Sequence, residues 1–317
     1  MSSALSLLAY CLMAMFAVAP ALVRASWTTR APRLAIAAWH LVCGTTLIAM
    51  IFAGLLLSLS LPYIGTTVAS VVNLCTTTLQ HVYAPPDRHT ISIAAALTLF
   101  LIPLRVGYVG AQLTVQSHRE SHRLQGLLEP IARSAPECPG ALVIPHTGQY
   151  AFCLPGRRGR VVVTSALLKE LTPLQLRAVM AHEQAHLRQR HHLALMAPKV
   201  LSRTFGMFFP LFKVAETAVA RLIELSADDA ARREVGGEPL AVALRKLSRM
   251  PAGSSVLSAS AVAVEERLER LDATTDRLSP TQALAVGTAM IVLALTPFVF
   301  ALVPILTSAW RDLCFIS

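Results

Sequence analysis

The stretch VMAHEQAHLRQRHH, Val179 to His192, places four histidines and one glutamate within eleven residues of an otherwise apolar, basic chain. His182, Glu183 and His186 form the pattern H-E-x-x-H. On a helix, residues four apart lie one above the other on the same face. His182 and His186 can then offer two imidazoles to one zinc ion, with Glu183 beside the metal's open position. A glutamate there takes a proton from the zinc's water, whose pKa the metal lowers to about 7, and later delivers it to the leaving amine. A structural zinc closes all four positions and needs no general base. Glu183 therefore separates a hydrolase from a zinc-containing receptor or scaffold.

A catalytic zinc takes three protein ligands. Glu224, in RLIELSADDAAR, offers the third, 38 residues beyond His186, which leaves room for the chain to fold back. Asp228 lies four residues further on and shares the helix face of Glu224, where it can accept the other ring N–H of a ligand histidine. Asp229 points elsewhere. His191 and His192 fall off the metal face or at its edge and read as interfacial, while His118, His122 and His146 read as surface residues. Ser165, in VTSALL, has no GxSxG elbow around it, which argues against a serine nucleophile.

Elements must position these groups. Thr172 as cap, Pro173 at the first helical position and Gln175 in the capping-box position predict a helix from Pro173 that carries the motif. Before it, β-prone runs at Ala141 to Ile144, Tyr150 to Leu154 and Arg160 to Thr164, broken by HTG and PGRRG, predict a hairpin or three-stranded sheet. SHRESHRLQGLLEP reads as a helix ending at Pro130, and Ser134 to Gly140 as a Pro-rich connector. The stretch 193–220 reads as an amphipathic pair of helices on a membrane surface rather than a re-entrant segment. AETAVARLIELSADDAARREVGG reads as a further helix, closed by Gly236 and Gly237.

The setting of this domain is a membrane. Of 317 residues, 54% are hydrophobic and 15% charged, against roughly 25% charged in soluble proteins. Uncharged apolar runs long enough to cross the hydrocarbon lie at 4–23, 34–61, 91–113 (interrupted by Arg105) and 281–307. The first carries no Lys or Arg before it, and Pro20 follows its only cleavage-like triplet, so it reads as an uncleaved span. Arg24 to Arg33 holds three arginines, and Arg119, Arg123, Arg267, Arg270 and Arg277 flank the long segment between the third and fourth spans. Both segments are expected in the cytoplasm and both termini outside. The formal charge of +10 is spread without aromatic interleaving, which argues for orientation signals and anionic lipid and against nucleic-acid binding. Six cysteines show no CxxC and no framework spacing. The expected fold is therefore a mainly α membrane protein: a three-span region at 1–113, a cytoplasmic peptidase domain with a small β-hairpin or sheet at 114–280, and a fourth span with a short tail at 281–317.

Membrane spans before a cytoplasmic HEQAH domain, ELSAD downstream and a closing span together resemble the BlaR/MecR-type membrane metallopeptidases. AFCLPGRRGRVVVTSALL before the zinc helix and ERLERL after the second helix fit the same pattern, which the related HtpX and Ste24 (CAAX prenyl) proteases share. The resemblance implies one zinc per chain held by His182, His186 and Glu224, with Glu183 as general base and Asp228 orienting a ligand histidine. It also implies a protein or peptide substrate pairing as a strand with Tyr150, Ala151, Phe152 and Cys153 or with Val161, Val162, Val163 and Thr164. BlaR and MecR continue past the last span into an extracellular penicillin-binding sensor, whereas ten residues follow Thr307 here. Control is therefore expected from a partner, lipid or substrate presentation. The expected activity is an integral-membrane zinc endopeptidase cutting a cytosolic or membrane-proximal protein, with a transcriptional repressor as the leading candidate. The alternatives are an HtpX-like quality-control protease and a non-catalytic zinc-containing receptor or scaffold.

Overall fold

A computed structural model describes residues 2–58, 89–136, 138–155, 159–248, 261–272 and 278–314. The outer loop expected after the second span, and the last residues of that span, fall almost wholly outside them. The chain is mostly helical with one small sheet. Helix α1 runs Ser2–Met13 and continues through a π-helical turn, Ala14–Val18, into Ala19–Arg24. The wide turn lies where Pro20 withholds an N–H and crowds the carbonyl one turn back. A short α2 (Trp27–Arg30) leads to α3 (Pro32–Ser58), and α4 covers His89–Leu128. After the sheet come α5 (Ser165–Glu170), α6 (Pro173–Arg188), α7 (His191–Phe205), α8 (Pro210–Val235), α9 (Glu238–Ser248), α10 (Ala261–Asp272) and α11 (Pro280–Cys314).

Among the described residues, four helical stretches are long and apolar enough to cross a membrane: Ser3–Arg24, Pro32–Leu57, Leu97–Leu128 and Pro280–Leu302. Phe16, Phe100 and Leu284 on these helices are largely exposed. Arg105 faces outward beside Tyr108, its guanidinium carbon 5.9 Å from the ring centroid.

Two sequence boundaries dissolve. The charged stretch before Pro130 is not a separate helix but the far end of α4, because nothing between Leu113 and Ser117 breaks the helix. Likewise α8 starts at Pro210, a favoured first helical residue, so the second half of the expected surface pair and the ELSAD helix are one rod. It ends at Gly236, whose φ of 86° is open to glycine at little cost. At the other end of the chain, α11 continues seven residues past the expected end of the fourth span at Thr307.

The sheet has the order β1-β2-β4-β3, from β1 (Arg133–Ser134), β2 (Ala141–Ile144), β3 (Ala151–Leu154) and β4 (Arg160–Thr164). β1 straddles the start of the segment read as a connector, Ser134 to Gly140. β2 and β4 pair in parallel, while β3 pairs antiparallel with β4. Period-two alternation splits β4: Val161 and Val163 join the core under α5 and α6, while Val162 packs with Ile144, Leu154 and the α4 residues Leu124 and Leu128. A second core carries the apolar half of α8, where Leu211, Phe212, Ala215 and Val219 pack with Leu201 and Phe205 of α7 and Trp39, Val42 and Cys43 of α3. The site helices are thus braced from two sides, by the sheet and by the membrane-length helices.

Candidate metal centre

The capping box is formed in full: Thr172 Oγ accepts from Gln175 N–H, and Gln175 Oε1 accepts from Thr172 N–H. It fixes the start of α6. Ala178, Ala181 and Ala185 are fully buried or nearly so. These small residues let α8 approach closely, and α6 presents His182 and His186 to it.

His182, His186 and Glu224 each turn one ligand atom into a common space, all within 4.8 Å of one another. His182 Nε2 and His186 Nε2 are 3.2 Å apart, and Glu224 lies 3.5 Å from the first and 3.6 Å from the second. Ligands about 2.0 to 2.1 Å from a tetrahedral zinc stand about 3.3 Å from each other, so the donor set fits zinc in chemistry and in spacing. Asp228 is buried, with Oδ1 2.9 Å from His182 Nδ1 in a contact bent away from the ideal line. Asp229 turns away and accepts from Arg270 at 2.9 Å.

Arg267 is the residue that reasoning from sequence passed over. Its Nε and Nη2 each donate to Asp228 at 2.8 Å, and its Nη1 lies 3.2 Å from Glu224 Oε2. It sits in ERLERL on α10, where the sequence reads it as one of the arginines flanking the long segment. An amphipathic arginine gives no local sign that it will reach across 39 residues to a buried carboxylate. His191 was also undervalued: it is buried, and its Nδ1 lies 3.0 Å from His186 Nδ1.

Electrostatics divide the acids. Burial alone would raise the Glu224 carboxyl, but His182, Arg267 and His186 outweigh it and hold it at about 2. Asp228 is likewise held well below the carboxylate range, burial being overcome by His182 and Arg267. Glu183 behaves oppositely. Burial pushes it up to about 7, with Glu224 adding to the rise and His182 opposing it. Burial would lower His182, yet Asp228 and Glu224 lift it to about 9, while burial and the charge of His182 bring His186 down to about 4. The site therefore contains one carboxylate poised near neutrality beside two that stay ionised, an arrangement suited to acid–base work.

Of the strand residues expected to meet substrate, Val161, Val162, Val163 and Thr164 are buried on β4, which is paired on both sides. No ladder position is left there for an incoming strand. β3 is an edge strand in contact with α6, and its Cys153 backbone lies close enough to Glu183 to oppose the rise of its carboxyl. Tyr150 is half-exposed just before it and Ala151, Phe152 and Cys153 are partly exposed along it.

A helix pair carrying H-E-x-x-H and E-x-x-x-D beside an edge strand, with a His–His–Glu donor set between the helices, is an arrangement of the metallopeptidase type. A model of peptidase family M48 matches residues 116–275, just over half of the chain, and the chain belongs to that family. The family is generally zinc-dependent, and membership points to metallopeptidase activity. Neither curated proteins nor solved structures gave a match.

Proposed function

We propose that this protein is a membrane-embedded zinc endopeptidase whose active site lies on the cytoplasmic face. The observation that carries the reading is the place of Glu183, partly buried next to the His182–His186–Glu224 cluster, where desolvation pushes its carboxyl up to about 7. In this reading His182, His186 and Glu224 hold the metal, which when bound supplies Lewis acidity toward the scissile carbonyl and lowers the pKa of a water to about 7. Glu183 takes the proton from that water and returns it to the leaving nitrogen. Asp228 orients His182, and Arg267 keeps Asp228 and Glu224 charged.

The substrate enters as an extended strand against β3. Thr164 N–H donates to the Tyr150 carbonyl, so in the antiparallel alternation Phe152 and Leu154 bond inward and Ala151 and Cys153 turn their backbone groups to the free edge. Those two residues line the approach to Glu183.

The membrane setting rests on the four apolar helices with outward apolar side chains, and the orientation on the arginines of 24–33 and of the long central segment. The division into 1–113, 114–280 and 281–317 follows from the same reading. The layout of spans around the domain supports a BlaR/MecR-like role, with a cytosolic repressor as substrate, and equally an HtpX-like role in quality control. Comparing new N-termini in a strain lacking the protein and in one carrying Glu183→Ala tests this: both should accumulate the same uncleaved cytosolic or membrane protein. Protease-dependent termini confined to external proteins would contradict it.

A further inference from the structure

The two histidines of the cluster are supported from behind in unlike ways. His182 rests on a buried carboxylate. His186 rests on His191, whose other ring nitrogen, Nε2, lies 3.2 Å from Gln189 Oε1. That oxygen accepts from Ser226 Oγ on α8 at 2.7 Å and from Arg33 Nε at 3.1 Å. Arg33 is the second residue of α3, one of the membrane-length helices.

With His191 neutral, donor and acceptor rules set the protons along this chain. A guanidinium only donates, so the amide oxygen of Gln189, not its nitrogen, must face Arg33. An oxygen only accepts, so His191 Nε2 carries a proton. A neutral His191 then offers a lone pair at Nδ1, and His186 must donate to it from Nδ1–H. His186 is left with a bare lone pair on Nε2, the nitrogen that faces His182 and Glu224. The tautomer needed for metal binding is thus written from outside the site.

The backbone is bent to permit this. Arg190, between α6 and α7, has φ of 52°, and it is the only non-glycine residue with positive φ among those described. A side-chain-bearing residue in the left-handed region is strained. The turn it makes brings Gln189 and His191 together behind His186.

We propose that His191, Gln189 and Arg33 form a positioning relay that sets the tautomer and orientation of His186 for metal binding and ties that residue to helix α3. This rests on the metal-site reading above. Because the relay ends on a helix of the membrane bundle, a shift of α3 against the α6–α7 turn reaches the metal-facing nitrogen without passing through the sheet.

The test is zinc affinity of the full-length protein in nanodiscs, measured by competition with a chromophoric chelator. His191→Phe keeps an aromatic ring but offers no acceptor to His186; His191→Asn puts an amide oxygen near the position of Nδ1 and so restores the acceptor. Outer partners of this kind carry about ten- to hundredfold in metal affinity. His191→Phe should weaken zinc by about that factor while lowering the metal-free melting temperature by no more than a few degrees, and His191→Asn should recover most of the loss in affinity. Arg33→Met, two residues removed from His186, should weaken zinc by a few-fold. Unchanged affinity in His191→Phe, or an Asn variant as weak as the Phe variant, overturns the relay; unchanged affinity in Arg33→Met overturns its membrane end. Wild-type protein that binds no zinc at all would overturn the metal-site reading beneath it.

Discussion

One side of the cluster is ionic and the other is neutral. Behind His182 stand a buried carboxylate and a guanidinium that is 14% exposed. Behind His186 stand an imidazole, an amide and a hydroxyl, with the only full charge, Arg33, at the far end. The difference teaches that the same task, orienting an imidazole, can be tied to different parts of the molecule. The ionic side is anchored within the peptidase region, through α8 and α10. The neutral side reaches the membrane-length helix α3 through side-chain hydrogen bonds, whereas α8 meets α3 through apolar packing.

The ionic side should be costlier to break. Arg267→Met leaves Asp228 buried without its partner, a loss of about 3 to 5 kcal/mol where one member of a buried pair is removed. Chemical denaturation of the metal-free protein checks it. The double variant Arg267→Met with Asp228→Leu, which removes both charges, should recover much of that stability while still binding zinc poorly.

The neutral side should behave in the reverse order. Gln189→Leu leaves no uncompensated buried charge, so its effect on stability should stay within about 1 to 3 kcal/mol, the cost of an unsatisfied polar group. Its effect on zinc retention should exceed that of substitutions at His192, whose side chain makes no hydrogen bond among the described residues.

A perturbation common to both sides sharpens the contrast. Thr172→Ala removes the cap of the helix that bears both histidines, and should cost about 1 kcal/mol. Thermal melting should fall slightly, with zinc affinity unaltered, because α6 remains clamped between α8 and the sheet. Smallest of all is Arg245→Met, which removes an exposed ion pair with Asp272 worth about 0 to 1 kcal/mol. It should leave both sides as they are.

The same contrast explains what could be read from the sequence. The capping box, HExxH and ExxxD all act within one turn of helix, so their geometry follows from spacing alone. Asp228 could be named because it is four residues from Glu224. Arg267 and Gln189 gain meaning only from contacts with residues far along the chain, and nothing in their neighbours announces those contacts. His191 sits five residues from His186, off the metal face by helical arithmetic, and is returned to it only by the left-handed turn at Arg190. The parallel pairing of β2 with β4 was hidden for a like reason: strand content is local, whereas strand order depends on where the β3 segment is carried. It is this order that buries Val161 to Thr164 and leaves β3 at the edge.

The account turns on Glu183 being a base beside a metal rather than one of its holders. The most direct measurement is zinc content and proteolysis of purified Glu183→Ala beside wild type. One zinc per chain should be retained, while cleavage falls by about 10² to 10⁴, the span of general acid–base catalysis. A variant that cleaves as fast as wild type, or that loses its zinc along with its activity, would contradict the account.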